Sequence, residues 1–183
     1  LGVVTVRGEV VAVVDPRRCY GLRVRSAAEV GPAFDGRGSA IGRRYSYRLL
    51  REDDLLYARI AWNPRRPLHE PGLARAIAPL EGEHDCAAFQ STGSTPVASV
   101  CAITHARWRR WEGGLQLDII ADHFLYHMVR SIVGTALMLQ NERDPGAAMR
   151  EVLASRDRGR GGTTAPAHGL CLEEVLYPAE VPA

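Results

Sequence analysis

The sequence predicts an α+β domain in which an antiparallel sheet carries helices packed on one face. Residues 43–50 alternate as a half-buried strand does. Apolar runs at residues 100–108 and 115–121 flank Glu112-Gly113-Gly114, which is typical of a hairpin turn. Residues 124–140 are nearly all apolar and form the longest predicted helix. Strands arranged around a central pair of helices favour this layered architecture.

Three strands are predicted in the first third of the chain. Residues 3–14 are rich in valine but are interrupted at Gly8-Glu9, so they form one strand or a hairpin that ends at Asp15-Pro16. Residues 21–25 form a further short strand. The strand at residues 43–50 has two faces, with Arg43, Tyr45, Tyr47 and Leu49 on one and Arg44, Ser46 and Arg48 on the other. A strand that carries both arginines and tyrosines can provide a surface for contact with RNA.

The remaining elements are mostly helical. Residues 71–80 have three apolar side chains on one side of a helix. After the helix at residues 124–140, Asp144 caps a second helix that starts at Pro145 and ends near residue 154. The last predicted elements are a loop rich in glycine and arginine at residues 156–164 and a closing strand at residues 170–177.

Composition allows a compact domain and excludes several classes of protein. With 183 residues, of which 46% are hydrophobic, the chain can bury a core as one large domain or one domain plus a remnant. The net charge of +2 makes the whole molecule a poor general polyanion binder. The chain contains arginine but no lysine. Arginine suits phosphate contacts, although codon bias in a GC-rich genome is the simpler explanation.

Cysteine spacing and hydropathy indicate a cytoplasmic protein. The four cysteines include no C-x-x-C pair, so neither a zinc knuckle nor a disulfide framework is expected. Arg7 and Glu9 interrupt the N-terminal apolar run, which is therefore not a signal peptide. The apolar stretch at residues 124–139 is too short to span a bilayer.

The predicted helix at residues 124–140 carries one arginine in its middle. An unpaired buried cation is costly, so Arg130 must reach solvent or meet an anion, and no acidic residue stands at helical spacing beside it. A continuous helix would place His123, His127, Arg130 and Gly134 on one face. Arg130 is therefore either a structural arginine at the edge of a sheet or part of a binding site.

Four blocks in order resemble the bacterial tRNA pseudouridine synthase A family, whose members modify the anticodon arm. They are F-D-G-R-G-S-A-I-G-R-R-Y-S-Y from Phe34, H-D-C-A-A-F from His84, F-L-Y-H-M-V-R-S-I-V-G from Phe124 and A-P-A-H-G-L from Ala165. The second block is similar to the family's short helix before a variable loop. The resemblance covers about residues 34–178 and implies the pseudouridine synthase fold, truncated at its N-terminus.

The resemblance implies a role for five residues. Arg130 looks like the active-site arginine, which pairs with the nucleophilic aspartate and keeps it ionised. Tyr45 resembles the active-site tyrosine, which packs against the target base and is a candidate for proton transfer. Leu170 and Phe124 are expected to line the uracil pocket, and Gly169 to let the backbone come close.

The resemblance also implies contacts with RNA. The residues expected to bind RNA are Arg37, Arg43, Arg44, Arg48 and His127. A second cluster consists of Arg107, Arg109 and Arg110 around Trp108 and Trp111. This cluster is either a further RNA contact or a cation-π feature of the surface.

The family's nucleophile is not found among the nine aspartates. None of them follows Arg-Thr, as the nucleophile does in the family's G-R-T-D-x-G-V-H-A block. The opening L-G-V-V-T-V is similar to the strand after that block, so we expect the sequence to start downstream of its nucleophile and to be inactive alone. Residues 1–35 would be the remnant of the N-terminal domain and residues 36–183 the C-terminal domain.

The implied reaction is the isomerisation of uridine to pseudouridine at positions 38–40 of tRNA, in the anticodon stem-loop. It needs no cofactor and no metal, and the partners implied are tRNA and a second copy in a homodimer, without a membrane. One alternative is a non-catalytic RNA-binding remnant. Another is an unrelated metal or nucleophile enzyme that uses Asp122, His123 and His127, although these lack H-E-x-x-H spacing and a clear third ligand.

Overall fold

The computed structural model describes residues 5–6, 9–10, 30–93 and 98–178, and the chain forms two compact units. The first unit comprises Leu1–Ala40 and Tyr177–Ala183. In it, strands β1 (Thr5–Val6) and β2 (Glu9–Val10) pair antiparallel, so the hairpin alternative is confirmed at this position. The strand predicted at residues 21–25 lies outside the described residues.

The second unit, Ile41–Leu176, contains a five-stranded antiparallel sheet. Its strands are β3 (Gly42–Leu50), β4 (Gly82–Asp85), β5 (Val100–Trp111), β6 (Gly114–Ala121) and β7 (Leu170–Leu176), in the order β4-β5-β6-β3-β7. The predicted hairpin is confirmed, because β5 and β6 pair in register up to Trp111 and Gly114. The α+β class and the antiparallel sheet are confirmed as well.

Three helices pack on one another and on the sheet. They are α1 (Glu70–Ile77), α2 (Met128–Leu139) and α3 (Pro145–Ser155). The predicted cap of α3 is confirmed, since the Asp144 carboxylate accepts a hydrogen bond from the Ala147 amide at 3.0 Å. Of the helices in the described parts of the chain, none has the length and apolarity that a bilayer span requires.

The prediction for the longest helix was wrong at its start. Helix α2 begins at Met128, because His127 has a left-handed backbone with φ of 62°. The preceding carbonyls are bound outside the helical pattern: that of Leu125 accepts from the Met128 amide, and that of Tyr126 from the distant Ser91 amide. His123 and His127 therefore do not lie on a helical face with Arg130.

The block at His84 also differs from the predicted short helix. His84 and Asp85 end the edge strand β4, and only Ala87–Phe89 forms a single 3-10 turn. The Asp85 carboxylate accepts a hydrogen bond from the Ala87 amide at 3.1 Å, which ends the strand and starts that turn.

Candidate active site

Arg130 lies in the first turn of α2 and is fixed by a reciprocal pair of hydrogen bonds. Its Nε donates to the carbonyl oxygen of Ala165 at 2.6 Å, and the Ala165 amide donates to the Arg130 carbonyl at 3.1 Å. Within residues 30–93 and 98–178, no carboxylate lies within ion-pair distance of this guanidinium. The two terminal nitrogens of Arg130 are therefore able to receive an anion.

An aromatic pair lies on the same side of the sheet as α2. Tyr45 on β3 meets the ring of Phe124 edge to face, with centroids 5.1 Å apart and an interplanar angle of 85°. Both rings and Leu170 are partly buried and pack against the core. Partly exposed aromatic and aliphatic groups of this kind can hold a planar base.

Tyr47 connects the strand with the segment around Ala165. Its hydroxyl donates to the Pro166 carbonyl at 2.7 Å, and burial raises the pKa of Tyr47, so the hydroxyl stays protonated. Gly169 packs on the ring, because a Cβ there would lie 2.7 Å from Tyr47 Cζ. Close approach was predicted for Gly169, and the group that it approaches is Tyr47.

Sequence reasoning missed the contact between α2 and the loop before Ala165. A Cβ on Gly134 would lie 1.7 Å from the Thr163 carbonyl oxygen, so the loop crosses the helix at this glycine. The Gly162 amide also donates to Thr135 Oγ1 at 2.9 Å. The signal that could have found this contact was a glycine in the interior of a predicted helix.

Comparison with known proteins decides the family. A profile of the tRNA pseudouridine synthase family matches residues 76–178, which include Phe124, Arg130 and Leu170. The chain belongs to this family.

Relatives named tRNA pseudouridine synthase A match most of this chain. The tRNA pseudouridine synthase A of Moorella thermoacetica is 39% identical over 153 residues, which cover 82% of this chain and 62% of that protein. The protein of that name from Shouchella clausii is 36% identical, covering 84% and 60%. That of Frankia casuarinae is 39% identical, covering 87% and 59%. This chain thus spans about 60% of the length of these relatives.

The arginines that the family resemblance predicts to bind RNA lie on both faces of the sheet. Arg43 is on the face of Tyr45, and its Nη1 donates to the Asp122 carbonyl at 3.0 Å. Arg44 and Arg48 are on the opposite face, which is lined with polar groups. The pairs there are Arg44 with Asp118 at 3.6 Å, Arg48 with Glu173 at 3.6 Å, and Arg48 Nε with Gln116 at 3.0 Å.

Arg37 and His127 have different surroundings. Arg37 belongs to the first unit, in a turn where its amide donates to the Asp35 carboxylate at 3.0 Å. His127 stacks on Tyr126, with centroids 3.8 Å apart. Desolvation and the charge of Arg130 lower the pKa of His127, which disfavours its charged form. The contacts of both residues with RNA stay predictions.

The arginines of the β5 to β6 hairpin are engaged within the chain. Arg107 pairs with Glu81 at 2.7 Å, Arg109 pairs with Asp118, and Arg110 pairs with Glu70 at 2.9 Å. The guanidinium of Arg48 lies 5.9 Å from the centroid of a Trp111 ring. The three arginines of the cluster are thus held in ion pairs, and the cation-π contact at Trp111 is made by Arg48, which lies outside the cluster.

His123 is hydrogen-bonded within the chain. Its Nε2 lies 3.0 Å from the Ala98 carbonyl and 3.4 Å from Cys101 Sγ, and its Nδ1 lies 3.1 Å from the Asp122 carboxylate. No group of three metal-ligating side chains occurs among the residues that the structure describes. We expect elemental analysis of the purified protein to find zinc far below one per chain; stoichiometric zinc would support the metal-enzyme alternative.

Proposed function

We propose that this chain supplies the base-holding and carboxylate-pairing part of an active site that isomerises uridine to pseudouridine in tRNA. The observation that carries the proposal is the geometry of Arg130. Its Nε is bound to the Ala165 carbonyl, and its terminal nitrogens have no carboxylate partner in the described parts of the chain. The aromatic pair Tyr45 and Phe124 adds a surface for a planar base.

The residues account for the chemistry as follows. The charge of Arg130 holds a nucleophilic carboxylate in its ionised form. The N1–C1′ bond of the flipped uridine breaks, the uracil rotates, and a C5–C1′ bond forms, while C5 loses a proton and N1 gains one. Stacking on Tyr45 contributes about 1 to 3 kcal/mol to holding the uracil, and the Tyr45 hydroxyl is the candidate for proton transfer. Leu170 closes the apolar side of the pocket.

None of the nine aspartates in the sequence follows Arg-Thr, and we infer that the aspartate of this reaction is not among them. We therefore propose that the 183 residues alone bind RNA weakly and do not catalyse, and that a G-R-T-D-x-G-V-H-A segment completes the site. Residues 1–35 would belong to the N-terminal domain, and residues 36–183 to the C-terminal one.

We also propose a substrate region, a location and an assembly for the protein. The target uridines lie in the anticodon stem-loop, and the protein acts in the cytoplasm as a homodimer. The four sequence blocks support the anticodon arm, because they resemble the enzymes that modify it. The similarity to proteins named tRNA pseudouridine synthase A supports tRNA in general.

A second candidate function is a non-catalytic RNA-binding remnant, which is favoured by the observation that no aspartate of the sequence follows Arg-Thr. One experiment separates the two functions. The complete protein, expressed from the whole reading frame that encodes this chain, is incubated with tRNA that carries tritium at uridine C5. Tritium release with pseudouridine in the anticodon arm supports the enzyme. Tight binding of tRNA without release would support the remnant.

Replacing Tyr45 with phenylalanine in the complete protein should abolish or strongly slow pseudouridine formation while tRNA binding stays nearly intact. The ring still stacks, but the hydroxyl proposed for proton transfer is gone, and general acid–base groups typically contribute about 100-fold or more. Single-turnover tritium release and a filter-binding assay measure the two effects.

The matched control for that variant is Tyr57→Phe. It also removes one tyrosine hydroxyl, which donates to Glu112 at 2.8 Å on an exposed loop outside the candidate site. Near-normal turnover of the Tyr45 variant would remove Tyr45 from the proton-transfer role.

A further inference from the structure

Tyr47 is fully buried and cannot contact a substrate, yet it touches the segment that holds the candidate site together. Its exposed fraction is 0%, and its side chain lies on the same strand face as Tyr45, two residues away. The backbone of Tyr47 is paired with Leu170 in the β3 to β7 ladder. One buried residue therefore lies beside two of the groups proposed to hold uracil.

The hydroxyl of Tyr47 reaches the backbone that orients Arg130. It donates to the Pro166 carbonyl at 2.7 Å, and the neighbouring residue, Ala165, accepts from Arg130 Nε at 2.6 Å. The Gly169 backbone rests on the Tyr47 ring. The segment from Ala165 to Leu170 is thus fixed at three points by the same tyrosine: at the Pro166 carbonyl, at Gly169 and at Leu170.

We propose that Tyr47 is a positioning residue for the reaction: through Pro166 and Ala165 it directs the terminal nitrogens of Arg130 toward the nucleophilic carboxylate. This inference rests on the proposed function. The Arg130 side chain has several rotatable bonds, and its Nε has one hydrogen bond that sets its direction. If the Ala165 carbonyl moves, the guanidinium moves with it.

Phenylalanine at position 47 isolates this role. The ring would keep its packing on Gly169 and its place in the core, and only the hydrogen bond to Pro166 would be lost. The partly buried Pro166 carbonyl would then lack its partner, which drives local rearrangement. A misplacement of about 1 Å can cost about 100-fold in rate.

The test compares Tyr47→Phe with Tyr57→Phe in the complete protein. We expect kcat for pseudouridine formation to fall about 10-fold to 100-fold in the Tyr47 variant, with KM for tRNA changed less than about two-fold. Tyr57→Phe, which also removes one hydroxyl hydrogen bond, should leave both constants unchanged. A variant that is merely less stable would lose active enzyme but keep the rate constant of the folded fraction in single-turnover assays.

A second readout needs no activity. In protein labelled with nitrogen-15 arginine, the Arg130 Nε–H signal should be protected from solvent exchange in the wild type and should exchange at least about 10-fold faster in Tyr47→Phe. Unchanged exchange together with an unchanged rate constant would overturn the inference. If wild-type protein forms no pseudouridine, the proposed function fails, whereas an active wild type with an unaffected Tyr47 variant fails the inference alone.

Discussion

Replacing Arg130 with alanine is expected to abolish pseudouridine formation by the complete protein while tRNA affinity changes little. The guanidinium is the charge proposed to keep the nucleophilic carboxylate ionised, and its Nε bond to Ala165 fixes its direction. Removing a preorganised group that stabilises charge in an enclosed site typically lowers kcat about 100-fold to 1,000-fold. Single-turnover tritium release measures the rate, and filter binding measures the affinity.

Two further variants make this test specific. Arg130→Lys keeps the positive charge, but a lysine cannot bind Ala165 and a carboxylate in the same planar geometry, so it should rescue little activity. Arg150→Ala removes an exposed arginine from α3, outside the candidate site, and should behave like the wild type. Turnover close to normal in Arg130→Ala would show that Arg130 is the structural arginine that the sequence also allowed.

Replacing Gly134 with alanine is expected to destabilise the protein by about 2 to 3 kcal/mol. Helix propensity alone favours the change by about 1 kcal/mol. The new Cβ, however, would lie 1.7 Å from the Thr163 carbonyl oxygen, and this neighbour is backbone, which cannot rotate away. The loop must lift from α2, so the steric term outweighs the propensity term.

The free energy of unfolding, measured by urea denaturation of wild type and variant, checks this expectation. Met138→Ala is the control, because Met138 lies on the same helix and is 44% exposed, and surface changes are usually within about 0.5 kcal/mol. Because the lifted loop leads directly into Ala165, pseudouridine formation should fall as well. A Gly134→Ala protein as stable as the wild type would contradict the close crossing.

Local patterns predicted much of the fold. The alternation in β3, the glycine turn between β5 and β6, and the Asp144 cap of α3 act over a few residues, so their signals are complete in the sequence. The start of α2 could not be predicted in this way. The segment after Phe124 is as apolar as the helix itself, and its carbonyls are taken by Ser91 and Met128 while His127 turns left-handed.

In the candidate site, too, the sequence predicted some features and not others. The residues that resemblance singled out, such as Tyr45 and Arg130, could be named from four blocks of sequence. The direction of Arg130 could not, because it depends on Ala165, which is 35 residues away in the chain. The separation of Arg44 and Arg48 from Tyr45 follows from strand alternation, but their carboxylate partners come from β6 and β7.

By itself, the sequence determined the class of fold, the hairpin of β5 and β6 and the family to which the chain belongs, because short-range periodicity and contiguous blocks carry that information. Only the tertiary structure decided that Tyr47 donates a hydrogen bond to the Pro166 carbonyl and that Gly134 must lack a side chain. It also decided that two of the arginines predicted to bind RNA have carboxylate partners. These features depend on contacts between residues far apart in the chain, and such contacts exist only once the sheet and the helices have packed.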